Sequence, residues 1–60
     1  MTRNRLLAHA ILLTRIQADR DAAQRAYEAA RARGDTRGQH AAEKRLRDIT
    51  HRLMRAEAEQ

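Results

Sequence analysis

The stretch R-G-D-T-R-G-Q at residues 33–39 holds both glycines of the chain, and no proline occurs among the 60 residues. Every other part of the sequence suits a helix. Gly34 can take the left-handed conformation that ends a first helix. Thr36 is a favoured N-cap for a second helix, Gln39 completes a capping box, and Asp35 adds negative charge at that N-terminus. The stretch therefore predicts one short connection between two helices.

The predicted fold is all-α: residues 1–60 form a single antiparallel helical hairpin, with helices at 3–33 and 36–58 and a turn at 34–35. Apolar residues recur at spacings of four and three in both helices, which is typical of packed helices. The seam of the first helix consists of Leu13, Ile16, Arg20, Ala23, Tyr27 and Ala30. The seam of the second consists of Ala42, Leu46, Ile49, Leu53 and Ala56. An arginine can lie in such a seam by its methylene stem.

Folding the second helix back on the first brings Ala30 level with Ala42. The other level pairs in this register are Ala26 and Tyr27 with Leu46, Ala23 with Ile49, Ile16 with Ala56, and Leu13 with Glu59. Earlier residues have no partner within the hairpin. We therefore expect the first helix to extend beyond the second by roughly eight to ten residues, or about 12–15 Å.

The part of the first helix that overshoots is the only strongly apolar run of the chain, LLAHAILL at residues 6–13. Its large side chains cover more than one side of a helix, as in a helix buried between others. Burying five such side chains contributes on the order of 7–15 kcal/mol before ordering costs. We therefore expect another surface to cover them. The residues expected at this interface are Leu6, Leu7, His9, Ile11, Leu12, Leu13 and Ile16.

A second copy of the chain is the expected cover, giving a homodimer that packs as a four-helix bundle. A chain of 60 residues without cysteine has no disulfide to compensate for a small core, so oligomerisation is the remaining way to stabilise it. The alternatives are docking of the first helix on a different protein or, less favoured because tryptophan and phenylalanine are absent, on a membrane surface.

The formal charge of +5 favours anionic partners such as nucleic acid. The basic residues that could follow phosphates along the second helix are Lys44, Arg45, Arg47, His51, Arg52 and Arg55. The alternative is a solvated face whose cations pair with acidic residues four positions earlier. The expected pairs are Asp21 with Arg25, Glu43 with Arg47, and Asp48 with Arg52.

Catalytic and metal chemistry have little support in the residues. Serine and cysteine are absent, and His9, His40 and His51 lack the spacing of metal ligands. We therefore expect no enzyme activity, no cofactor and no metal. An apolar run of eight residues is far below the roughly 20 that cross a bilayer, and no clean signal-peptide cleavage site follows it, so a cytoplasmic protein is expected.

The sequence thus predicts a small non-enzymatic interaction or regulatory protein that acts as a homodimer. Two alternatives remain open. One is a nucleic-acid-binding regulator that uses the basic helix faces, and the other is a small subunit that docks its N-terminal helix on another protein.

Overall fold

The computed structural model describes residues 2–58 as two helices, α1 at Thr2–Arg33 and α2 at Thr36–Ala58. The helices pack against each other as an antiparallel pair, and no strand occurs in the described range. The Cα trace measures 49 × 15 × 9 Å, so the hairpin is a single layer of two helices whose length is that of α1. The predicted all-α hairpin is confirmed.

The end of α1 is a Schellman motif centred on Gly34, whose φ is +71°. The Gly34 N–H donates to the carbonyl of Arg31 (N···O 3.1 Å), and the Asp35 N–H donates to the carbonyl of Ala30 (2.8 Å). These two bonds satisfy carbonyls that a helix C-terminus otherwise leaves unpaired. Gly34 tolerates the left-handed conformation because it has no Cβ.

Asp35 also caps the start of α2, so one residue serves both helix ends. Its Oδ1 accepts a hydrogen bond from the Gly38 N–H (2.9 Å), and its carbonyl accepts one from the Gln39 N–H (3.0 Å). This is the geometry of an N-cap residue bonded to the amide three positions later. The prediction that Thr36 is the N-cap is therefore wrong: Thr36 is the first residue of α2.

The Asp35 carboxylate is held ionised by its surroundings. The hydrogen bond from the Gly38 amide, and then the nearby Arg33 guanidinium (Nη2···Oδ2 3.2 Å), lower the pKa of Asp35 below its ordinary value of 3.8. Gly38 fits this site because it has no side chain. A Cβ at Gly38 would lie 2.5 Å from Oδ2 of Asp35 and 3.0 Å from Cβ of Ala30.

The core is a seam with one fully buried residue every seven positions in each helix. The buried residues, each at most 5% exposed, are Ile16, Ala23, Ala30, Ala42, Ile49 and Ala56. These are the six residues that the predicted register brings level in three pairs. The pairing of Leu13 with Glu59 lies outside the described residues. Four of the six are alanine, so the hairpin by itself buries little apolar surface.

Candidate functional site

The N-terminal segment, residues 6–13 of α1, has no described α2 residue beside most of its length. Four of its aliphatic side chains are exposed: Leu6 by 67%, Leu7 by 62%, Ile11 by 47% and Leu12 by 38%. His9 and Leu13 are half-buried. Ile16, also predicted at the interface, is 1% exposed and belongs to the core of the hairpin. The segment is therefore an apolar surface that continues the core seam into solvent.

Positions next to the buried residues fall on two opposite faces of the two-helix layer. Leu13, Leu46 and Leu53 each lie three positions before a buried residue, and all three pack against the core cluster. Asp19 and Arg52 each lie three positions after one, and they form an ion pair across the helices (Oδ2···Nη1 3.3 Å). The positions three residues before a buried residue therefore share one face of the hairpin. The positions three residues after a buried residue share the opposite face.

The first face, which we call the leucine face, is apolar and carries little net charge. It is formed by Leu6, Leu13, Tyr27, Leu46 and Leu53. The residues along its rim, each one position after a buried residue, are Gln17, Gln24, Arg31, Glu43, Thr50 and Glu57. Arg20, three positions before Ala23, also lies on this face, and Arg3 lies on its rim seven positions before Ala10. Together with Arg31 they exceed the two glutamates by one, so this face carries a small positive charge.

The second face, which we call the arginine face, is basic. Its cations are Arg15, Arg33, Arg45, Arg52 and Arg55, and its acidic residues are Asp19 and Asp48. Small side chains separate them, at Ala22, Ala26, Ala29 and Ala41. The candidate nucleic-acid contacts therefore divide between two surfaces. Arg45, Arg52 and Arg55 lie on the arginine face, whereas Lys44, Arg47 and His51 lie on the side of α2 that points away from α1; all six are exposed.

Few of these cations are neutralised by an acidic neighbour. Within residues 2–58 the ion pairs are Arg33 with Asp35 and Arg52 with Asp19. None of the three ion pairs expected within the helices forms among residues 2–58. Arg52 bonds to Asp19 of α1 and not to Asp48. Lys44, Arg45, Arg47 and Arg55 therefore have no ion-pair partner among the described residues.

Other kinds of site find no support in the described part of the chain. No group of three or more His, Cys, Asp or Glu side chains is placed there to hold a metal ion. Neither helix, over the same range, has a stretch long and apolar enough to cross a bilayer. No protein-family model matches the chain, and no curated protein or solved structure is significantly similar to it. The surfaces of the hairpin are therefore the features that bear on its function.

Proposed function

We propose that this chain is a cytoplasmic, non-enzymatic interaction or regulatory protein that acts as a homodimer, in which a second copy covers the N-terminal segment. The observation behind the proposal is the run of exposed side chains at Leu6, Leu7, Ile11 and Leu12, which continues directly from the buried seam. Each large aliphatic side chain that is fully buried contributes about 1.5–3 kcal/mol. The stability of a small domain is only a few kcal/mol, so covering the segment would add substantially to it.

The thinness of the hairpin supports the same proposal. Stable domains consist of at least two packed layers, and this chain forms one layer with a core built mainly of alanine. A second copy supplies the missing layer. The low net charge of the leucine face is compatible with a second copy, because two molecules of charge +5 repel each other less there than at the arginine face.

Equilibrium sedimentation tests the proposal, with two variants at equally exposed apolar positions. Leu6 is 67% and Met54 62% exposed, and Met54 lies on the outer side of α2. We expect a dimer for the unaltered chain and for Met54→Asp. Leu6→Asp should raise the dissociation constant by about 10- to 100-fold, because a charge then replaces a buried leucine.

A folded monomer of the unaltered chain would contradict the homodimer and favour docking of α1 on a different protein. Equal weakening by Leu6→Asp and Met54→Asp would show that the N-terminal segment is not the interface. Circular dichroism of both variants establishes that the hairpin itself remains helical.

A second candidate function, nucleic-acid binding, is favoured by the exposed unpaired cations of α2. Lys44, Arg47 and Arg55 have no ion-pair partner within residues 2–58, so all three are available to phosphates. Filter binding to DNA and RNA at about 50 and 200 mM salt tests this, since phosphate contacts give affinity that falls steeply with salt. Affinity that is absent, or that does not depend on salt, would exclude it.

A further inference from the structure

We propose that the arginine face binds the phosphate backbone of a double-stranded nucleic acid, whatever its base sequence. The contacts come from both helices, from Arg15 of α1 and from Arg45 and Arg55 of α2. The side of α2 that carries Lys44 and Arg47 points away from the ligand. This inference rests on the second candidate function, nucleic-acid binding, and adds to it the face, a contact from α1 and the form of the nucleic acid.

The arginine face is the more basic of the two broad faces of the hairpin. Its five arginines exceed its two aspartates by three, whereas the leucine face carries an excess of one positive charge. Two of the five arginines already bond to an aspartate. The other three, Arg15, Arg45 and Arg55, are exposed and have no ion-pair partner among the described residues. A surface with this charge attracts a polyanion.

The packing of the helices brings these three arginines over one continuous area. Arg15 and Arg55 each precede one member of the level pair Ile16 and Ala56, so they stand at the two edges of the face at the same height. Arg45 lies about 15 Å from Arg55 along α2, at 1.5 Å per residue. A DNA duplex carries one negative charge per about 1.7 Å of its axis, so phosphates are available over the whole of this length.

The side chains between the arginines favour a nucleic acid over an acidic protein. On this face every side chain from Arg15 to Arg33 of α1, and from Arg45 to Arg55 of α2, is either charged or alanine. A protein interface has an apolar or aromatic centre, which this area lacks. Arginine binds a phosphate through two parallel N–H donors, and such contacts give affinity without apolar burial.

The shape of the face favours the backbone of a duplex. The Cα trace is 15 Å across the two helices, wider than the roughly 12 Å of a major groove, so the face lies against the phosphates outside the groove. Tyr27, the only aromatic residue of the chain, lies on the leucine face, so the bases of a single strand have no aromatic side chain to stack on here. Backbone contacts carry no sequence information, and we therefore expect equal affinity for duplexes of different sequence.

Fluorescence anisotropy tests the assignment, with labelled duplexes of about 20 base pairs, one of DNA and one of RNA, at about 50–200 mM salt. Each phosphate contact that is removed should flatten the slope of log affinity against log salt by about 0.9. The ratio of the affinities at the two ends of this salt range then shrinks by about 3.5-fold. We expect this change for Arg15→Gln, Arg45→Gln and Arg55→Gln.

Arg25→Gln is the matched control, because it removes the same charge from the same helix as Arg15→Gln. Arg25 is exposed and lies two positions after Ala23, on the side of α1 that points away from α2. We expect the slope to stay that of the unaltered chain. Circular dichroism of every variant checks that the hairpin remains helical.

The outcomes separate this inference from the candidate function on which it rests. A flatter slope for Arg15→Gln than for Arg25→Gln supports the arginine face. Equal flattening by both, or flattening by Lys44→Gln and Arg47→Gln alone, overturns the arginine face and leaves nucleic-acid binding standing. Tighter binding of a single strand, or of polyglutamate, than of either duplex overturns the choice of ligand. Binding that does not depend on salt, or no binding to any nucleic acid, removes the candidate function as well.

Discussion

The leucine face and the arginine face are built from the same two helices and the same spacing of seven residues, yet they differ in chemistry. One carries little net charge and holds Leu13, Leu46 and Leu53 packed on the core. The other holds five arginines separated by alanines. The core seam therefore determines how the two helices pack, whereas the flanking positions give each face its own charge and apolar character.

The largest expected effect comes from placing a charge on each face in turn. Leu13→Asp should lower the free energy of unfolding by about 2–3 kcal/mol, because Leu13 is partly buried and packs on the core. Ala26→Asp, on the opposite flank and exposed, should cost about 0.7 kcal/mol or less, the difference in helix propensity. Urea unfolding followed by circular dichroism compares them. Equal losses of unfolding free energy would mean that both faces tolerate a charge equally well.

A smaller effect is expected at the turn, where the arginine face begins at Gly38. Gly38→Ala should lower the free energy of unfolding by about 1 kcal/mol, although alanine is the better helix former, because its Cβ meets the Asp35 carboxylate and Ala30. The same substitution in an Asp35→Ala chain should be much less harmful. Stabilisation by Gly38→Ala in the natural chain would show that the close approach imposes no constraint.

The Asp35 cap should give a modest stabilisation that depends on pH. Because the folded chain lowers the pKa of Asp35 below its ordinary value of 3.8, its contribution is complete above that pH and is lost as pH falls through the lowered pKa. Asp35→Asn keeps an acceptor for the Gly38 amide without the charge. The unfolding free energies of the two chains should differ at neutral pH and converge in acid. A difference that grows in acid would contradict this assignment.

The smallest effect is expected from the ion pair that joins the helices on the arginine face. Arg52→Gln removes the 3.3 Å contact to Asp19, whose side chain is about half exposed like that of Arg52. We expect a loss of about 0.2–1 kcal/mol that nearly vanishes at about 1 M salt. Arg45→Gln, one heptad earlier on the same flank and without an ion pair, should cost less. Equal, salt-independent losses would show that the ion pair contributes nothing.

The hairpin and its register could be predicted because both depend on local or periodic signals. The two glycines mark the turn, and the alternation of spacings of four and three marks the seam. Counting residues outward from the turn therefore places Ile16 beside Ala56. The N-cap was harder, because Asp35 and Thr36 are both favoured cap residues. The structure decides between them by which side chain reaches the Gly38 amide.

The partner of Arg52 and the division into two faces depend on both helices together. The spacing along α2 alone predicts Asp48, four residues before Arg52, as the ion-pair partner of Arg52. That spacing contains no information about Asp19, which lies on α1. The exposed N-terminal segment could be predicted from the register, whereas the two faces could not be seen by counting along one helix. The signal was nonetheless present: three positions before each seam residue the side chains are mostly apolar, and three after they are mostly basic or small.

The double use of Asp35, whose amide closes the end of α1 and whose side chain caps α2, leaves the connection no spare residue. One residue inserted after the cap would rotate the rest of α2 by about 100° and turn Asp48 and Arg55 toward the positions of Ile49 and Ala56. Such a change alters the phase of a whole helix, not the length of a loop. Variants of this chain that differ in length should therefore differ by whole heptads, added to both helices together.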